Sequence, residues 1–182
     1  MSRSTGFVDT VQNILPDWIG LVAGLITQLG DSWFILLLIL FLLIVTEEKS
    51  TRIGYLGLAW LFGKLTYVSM KQFFRLPRPD MPIMTVEQLP TYVQPIYEAI
   101  GFSDGYGFPS GHAVNAMIIY VGLALVVDYR TLKQRLIVAA FVAFTVGITR
   151  IVLGLHYLVD IFAGFAIGGI IVFFYYILVI RE

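Results

Sequence analysis

The chain has 182 residues, 58% hydrophobic and 13% charged, with a formal net charge of zero and no cysteine. A soluble domain carries about a quarter charged residues, so the composition excludes one and points to an integral membrane protein. The balanced charge leaves no basic footprint for nucleic acid, and the lack of cysteine excludes structural disulfides and thiolate metal sites. At about 20 apolar residues per crossing, the length suits one all-α bundle of five to six transmembrane helices, a single membrane-embedded domain over residues 1–182.

Met1-Ser2-Arg3-Ser4-Thr5-Gly6 lacks the charged-then-apolar order of a cleavable signal, so the chain reads as mature. Residues 6–17 are mixed and polar. Trp18 to Leu29 is apolar but too short to cross a bilayer alone. It either joins residues 8–17 in a tilted span or lies at the interface or re-enters, and the second is favoured here. Asp31-Ser32 caps a membrane helix from Trp33 to about Thr46. A helix from about Ile53 to Phe74 carries Lys64 and Lys71 on nearly one face and is ended by Pro77 and Pro79.

Residues 79–108 read as a long loop with Pro79, Pro82, Pro90 and Pro95, of the kind that forms lids and binding loops. Its aromatics Tyr92, Tyr97, Phe102, Tyr106 and Phe108 read as packing and interface anchors. Three spans follow, about Ser110 to Val127, Leu136 to Leu153 and His156 to Ile180. If helices alternate, Lys49, Arg52, Arg130, Lys133, Arg135 and Arg181 share one side, cytoplasmic by the positive-inside rule. Lys71, Arg78, His112, Arg150 and His156 then converge on the outer face. Gly164 and Gly168 form a small-xxx-small pair suited to close helix packing.

Three blocks carry the chemistry: Lys71-x6-Arg78-Pro79, Pro109-Ser110-Gly111-His112, and Thr149-Arg150-x5-His156-x3-Asp160. The i, i+4 spacing of His156 and Asp160 puts both on one helix face. There the carboxylate can take a proton from one imidazole nitrogen and leave the other as nucleophile or base. The bland alternative is a buried ion pair that fixes helix packing. A Ser-Gly turn at a helix start presents N–H groups to an anion, and three cations in a partly dry site suit a dianionic phosphoryl group. One charge retained in a bilayer costs roughly 2.5–3.5 kcal/mol on insertion scales, so several at one depth imply an anion to neutralise them. The chain's two histidines both fall in these blocks. His156 can attack phosphorus while His112 protonates the leaving oxygen and then activates water.

These blocks resemble the three signature motifs of the type 2 phosphatidic acid phosphatase family, integral-membrane relatives of vanadium haloperoxidases and bacterial acid phosphatases. The motif core is residues 71–160, with Thr149 standing where the family usually has serine. The resemblance implies a metal-independent phosphatase with no cofactor and an outward-facing site. Carried over, Lys71, Arg78 and Arg150 bind phosphate, assisted by Ser110 and the Gly111 backbone, with Thr149 offering a hydroxyl. His112 is the acid/base, His156 the nucleophile and Asp160 its orienter. Because the first span is short or missing, five crossing helices plus a short N-terminal interfacial segment are expected.

The expected activity is hydrolysis of a membrane lipid phosphate, in a multi-pass cell-membrane protein. Candidate substrates are phosphatidylglycerol phosphate, phosphatidic acid and a polyprenyl diphosphate such as undecaprenyl diphosphate. An extra basic residue would favour a diphosphate, and Lys64 or Arg75 could supply it, although Lys64 reads more readily as paired to an acid such as Asp31 or snorkelling. Two alternatives are phosphotransfer to an alcohol and a non-enzymatic anion- or lipid-binding membrane protein. Haloperoxidase activity is a weaker third. Oligomeric state is not readable from the sequence.

Overall fold

The computed structural model describes residues 6–16, 18–79 and 105–181, and these contain helices and connectors but no strand. Most of the 79–108 loop, including Tyr92, Tyr97 and Phe102, lies outside the described residues.

Helix α1 (Gly6–Ile14) is short and amphipathic, and its Val8 is fully buried against Ala113, Ile151 and Ile161. Helix α2 (Ile19–Thr27) runs on through a 3-10 turn, Gln28–Gly30. Asp31 then leaves the helical region and caps α3 (Ser32–Val45), its carboxylate accepting from the Trp33 N–H at 3.3 Å. The two helices bend by 49° at this break, so they form either one broken span or a re-entrant loop. The N-terminal segment is thus more than an interfacial anchor, because α2 is packed on Val152, Leu153 and Leu155 through Ala23.

Helix α4 (Ser50–Phe74) has 25 residues and stops at Arg75, which takes a left-handed φ of 48° ahead of Pro77 and Pro79. Helix α5 (Gly111–Val126) contains a π-turn at Met117–Val121. Helix α6 (Leu132–Val152) opens on a Thr131/Gln134 capping box. Helix α7 (Leu158–Ile180) closes the bundle. By length and composition α6 and α7 are each able to cross a membrane, or three spans exist if α2–α3 counts as one.

The core is the seam of α3, α4, α5 and α7, where Ile35, Leu56, Val114, Ile118 and Ile171 meet. Outward faces stay apolar: Leu37, Phe41, Phe62, Phe141 and Phe173 are all exposed. Such a belt matches hydrocarbon as the solvent.

Gly164 and Gly168 let α7 touch α5. A Cβ on Gly164 would sit 2.7 Å from the Ser110 carbonyl oxygen, and one on Gly168 would sit 2.7 Å from Met117 Cβ. Gly164→Val should therefore part the two helices and lower stability by about 1–3 kcal/mol. Thermal unfolding in detergent, with exposed Phe162→Leu as control, checks this. Equal melting of the two variants would refute the close contact.

Candidate active site

Five elements bring their ends to one pole of the bundle. They are the starts of α3, α5 and α7 and the ends of α4 and α6. They enclose a cavity of about 350 Å³ lined by Lys71, Arg78, Gly111, His112, Arg150 and His156. Six of the nine residues expected at the site thus line one cavity, although they come from three separated blocks.

The third block folds as it does because α6 ends at Val152 and a turn follows, with Gly154 at a φ of 67°. The Arg150 carbonyl accepts from both Leu155 and His156 N–H groups at 3.0 and 3.2 Å, which folds the turn back on the helix. His156 lies in this turn, between α6 and α7 and outside both spans. Its Nδ1 is 3.4 Å from Asp160 Oδ2, and its Nε2 is 3.1 Å from Arg78 Nη1. A guanidinium has only N–H to offer, so Nε2 must be the accepting, unprotonated nitrogen. The proton then sits on Nδ1, facing the carboxylate. Asp160 is fully buried and also accepts from Tyr157 N–H at 3.0 Å, which holds it in place.

Burial, and then the charges of Arg150, Arg78 and Lys71, hold the His156 imidazole well below its ordinary pKa of 6.5. A group so depressed is neutral at pH 7 and gains its proton only well below pH 6.5. The acid limb of kcat/KM due to His156 should therefore fall below pH 6.5, once the substrate's own ionisation is corrected for. A limb at or above pH 6.5 would contradict this assignment.

Arg150 is 1% exposed. Its Nη1 donates to Thr27 Oγ1 at 3.0 Å, while its Nε has no hydrogen-bond partner among the described residues. An unpaired buried charged donor is costly, and an oxyanion in the cavity would satisfy it. Lys71 donates to the Tyr106 and Gly107 carbonyls at 2.6 and 3.3 Å, and Arg78 to the Gly105 and Leu155 carbonyls at 3.1 and 2.9 Å. Both cations line the cavity, Lys71 from the last turns of α4 and Arg78 from the segment that follows it.

Gly111 opens α5 against Tyr67, whose ring atoms would lie 2.8 Å from an added Cβ. Ser110 does not line the cavity. It is fully buried, its Oγ capping Ala113 N–H at 3.5 Å and its N–H donating to the Asp160 carbonyl at 3.0 Å. Ser110 thus ties the α5 start to the α7 start. Thr149 differs from the expectation of a hydroxyl for phosphate: its Oγ1 donates to the Val146 carbonyl on its own helix at 2.6 Å. Lys64 lies 5.7 Å from the centroid of Trp60 rather than beside Asp31.

Three residues from outside the motifs complete the site. Asp31 Oδ2 faces His112 Nε2 at 3.8 Å. Asn115 donates to the Gly30 carbonyl at 3.0 Å and accepts from Trp60 Nε1 at 3.1 Å. Thr27 anchors Arg150. The sequence signal for Asp31 was its position as a lone acid between two apolar runs, where an ionisable group implies a partner. Thr27 and Asn115 gave no such signal.

Two histidines and three cations thus gather on one cavity of a helical bundle, with the buried Asp160 carboxylate behind His156. The chain belongs to the PAP2 superfamily, whose model matches residues 52–182, and it is an enzyme of the lipid phosphatase type. It is 28% identical over 166 residues to phosphatidylglycerophosphatase B of Bacillus subtilis (strain 168), covering 88% of this chain and 75% of that protein. It is likewise 28% identical over 166 residues to lipid A 4'-phosphatase of Porphyromonas gingivalis, covering 86% of this chain and 65% of that protein. The crystal structure of a transmembrane PAP2 type phosphatidylglycerolphosphate phosphatase from Bacillus subtilis superposes with a TM-score of 0.77 at 25% identity. The match covers 94% of this chain and 81% of that one.

Proposed function

We propose that the chain hydrolyses a lipid phosphomonoester, of which phosphatidylglycerol phosphate is the leading case, through a phosphohistidine on His156. The observation that carries this reading is the His156 ring itself, with Nε2 free of its proton and Nδ1 backed by Asp160. Nε2 attacks phosphorus in line, and Lys71, Arg78 and Arg150 hold the non-bridging oxygens as charge develops there. Arg78 must exchange its contact with Nε2 for one with the phosphoryl group. His112 gives its proton to the leaving alcohol oxygen, with the Asp31 carboxylate 3.8 Å from its Nε2. His112 then takes a proton from water as that water attacks phosphorus, which frees inorganic phosphate and restores His156.

The monoester is preferred over a diphosphate for a specific reason. Neither Lys64 nor Arg75 lines the cavity, whereas Asp31 does, so one phosphoryl group balances the cations and a second would face a carboxylate. The three protein cations also take the electrostatic role a metal would have, hence the proposal that no metal is needed. Lys49, Arg52, Arg130 and Arg135 lie away from the catalytic cavity, around the ends of α4, α5 and α6, which supports an outer-facing site by the positive-inside rule.

The test is phosphate release by purified, detergent-solubilised protein from phosphatidylglycerol phosphate, phosphatidic acid and undecaprenyl diphosphate, with and without EDTA. Release from the monoesters that EDTA leaves intact is expected. Strict dependence on added Mg2+, or preference for the diphosphate, would overturn the corresponding part of the reading.

A further inference from the structure

At the pole away from the catalytic cavity, α5 and α6 splay apart around a second cavity of about 460 Å³. Its walls are Leu123 and Val127 from α5 and Val138 and Val142 from α6. Its rim is cationic, with Arg130 from the connector and Arg135 from the second turn of α6. The Nε and Nη1 of Arg135 are enclosed by protein and have no hydrogen-bond partner among the described residues. The acid nearest in sequence, Asp128, is engaged by Lys49 at 2.7 Å, a contact that, with smaller contributions from Arg135 and Arg52, holds its carboxyl below the usual range. Arg130 sits at a left-handed φ of 64° with its guanidinium 5.4 Å from the Tyr129 ring centroid.

Two enclosed nitrogens, with three N–H donors between them, on a permanent charge call for an anion, since leaving such a group unpaired is costly. A small soluble anion would account for the rim but not for the apolar walls beneath it. The flank of α6 beside the cavity, including Ile137, Val138 and Phe141, is exposed and oily, so the opening faces hydrocarbon. A charged rim over an apolar slot matches one molecule of stated chemistry: an anionic phospholipid from the leaflet opposite the catalytic one. We propose that this cavity is a binding site for such a lipid, with its phosphate on Arg135 and Arg130 and an acyl chain between Leu123 and Val142. The site lies apart from the catalytic residues and does not depend on the substrate assigned to them.

The cavity also touches the catalytic end through Tyr120, one of its lining residues. The Tyr120 hydroxyl donates to the Leu29 carbonyl at 2.8 Å. The adjacent Gly30 packs so tightly on His112 that an added Cβ would lie 3.2 Å from the His112 Cβ.

The experiment reconstitutes the full chain in vesicles of equal phosphatidylglycerol and phosphatidylcholine with matched acyl chains. Retained lipid is counted by native mass spectrometry after extraction, and melting is followed with each lipid added back. The wild type should retain phosphatidylglycerol over phosphatidylcholine by about tenfold, the size of one charge-assisted hydrogen bond, and melt higher with it. Arg135→Gln should lose that preference. Val138→Trp, on a half-open wall where folding is not at risk, should lose retention of both lipids while phosphate release persists. Equal retention of the two lipids by the wild type would overturn the proposal, as would a preference surviving in both variants. Protection by water-soluble glycerophosphoglycerol equal to that by the lipid would do so too, since it would mean a free-anion site.

Discussion

Replacing His156 by alanine is expected to reduce phosphate release by about four orders of magnitude or more, with little change in how tightly the cavity holds an anion. The expectation rests on the division of labour at the site. Lys71, Arg78 and Arg150 approach the cavity from α4, the loop and α6, and none of them depends on the imidazole for its backbone position. Losing the ring removes the Nε2 that accepts from Arg78 at 3.1 Å and the Nδ1 that leans on Asp160 at 3.4 Å. Vanadate mimics five-coordinate phosphorus and should inhibit the wild type competitively. It should still bind the variant with similar strength through the three cations. Single-turnover release measured beside vanadate binding separates the cases: residual turnover above about one part in a hundred would assign the nucleophile elsewhere.

The second large effect is at Arg150. Arg150→Met should lower kcat/KM by about 10²–10³, the cost of removing one preorganised charge from a transition state, and should not lower the melting temperature. That pairing is unusual, because truncating a residue 1% exposed normally destabilises. Here the buried guanidinium has one hydroxyl partner, Thr27 at 3.0 Å, and an unpaired Nε. An apolar side chain of similar volume relieves that cost. Arg150→Lys should not restore activity, since an ammonium cannot span Thr27 and a phosphoryl oxygen as the planar fork can. Steady-state kinetics and thermal unfolding on the same samples check both halves. A large fall in melting temperature for Arg150→Met would show that the arginine is structural.

The motif residues were legible because chemistry-bearing side chains are rare in an oily chain and helices that alternate in direction must return them to the same pole. Lys71, Arg78, His112, Arg150 and His156 meet for that reason, but His156 and Asp160 do not share a helix face as their spacing suggested: His156 lies in the turn before α7, and the Asp160 carboxylate reaches back from the first turn of that helix to its Nδ1. Ser110 and Thr149 were harder to read. Both are hydroxyls beside a cation or a turn, and only the local backbone shows that one caps α5 while the other bonds back to Val146. The role of residues 19–31 was the least legible. Thr27 reaches Arg150 across 123 residues and Asn115 reaches Gly30 across 85, and nothing in an apolar stretch of ordinary propensity announces a partner so distant. Reading that stretch as interfacial or re-entrant left out its share in the site.

The break between α2 and α3 bears on how such enzymes could be recombined. The superfamily match begins at residue 52, yet the hydroxyl under Arg150, the carbonyl that orients Asn115 and the carboxylate facing His112 all come from residues 27–31. A chimera that swaps substrate specificity between relatives by exchanging everything after the first loop would thus inherit a foreign floor to its cavity. The transferable unit starts at α2, and grafts cut there should keep activity that grafts cut at residue 52 lose.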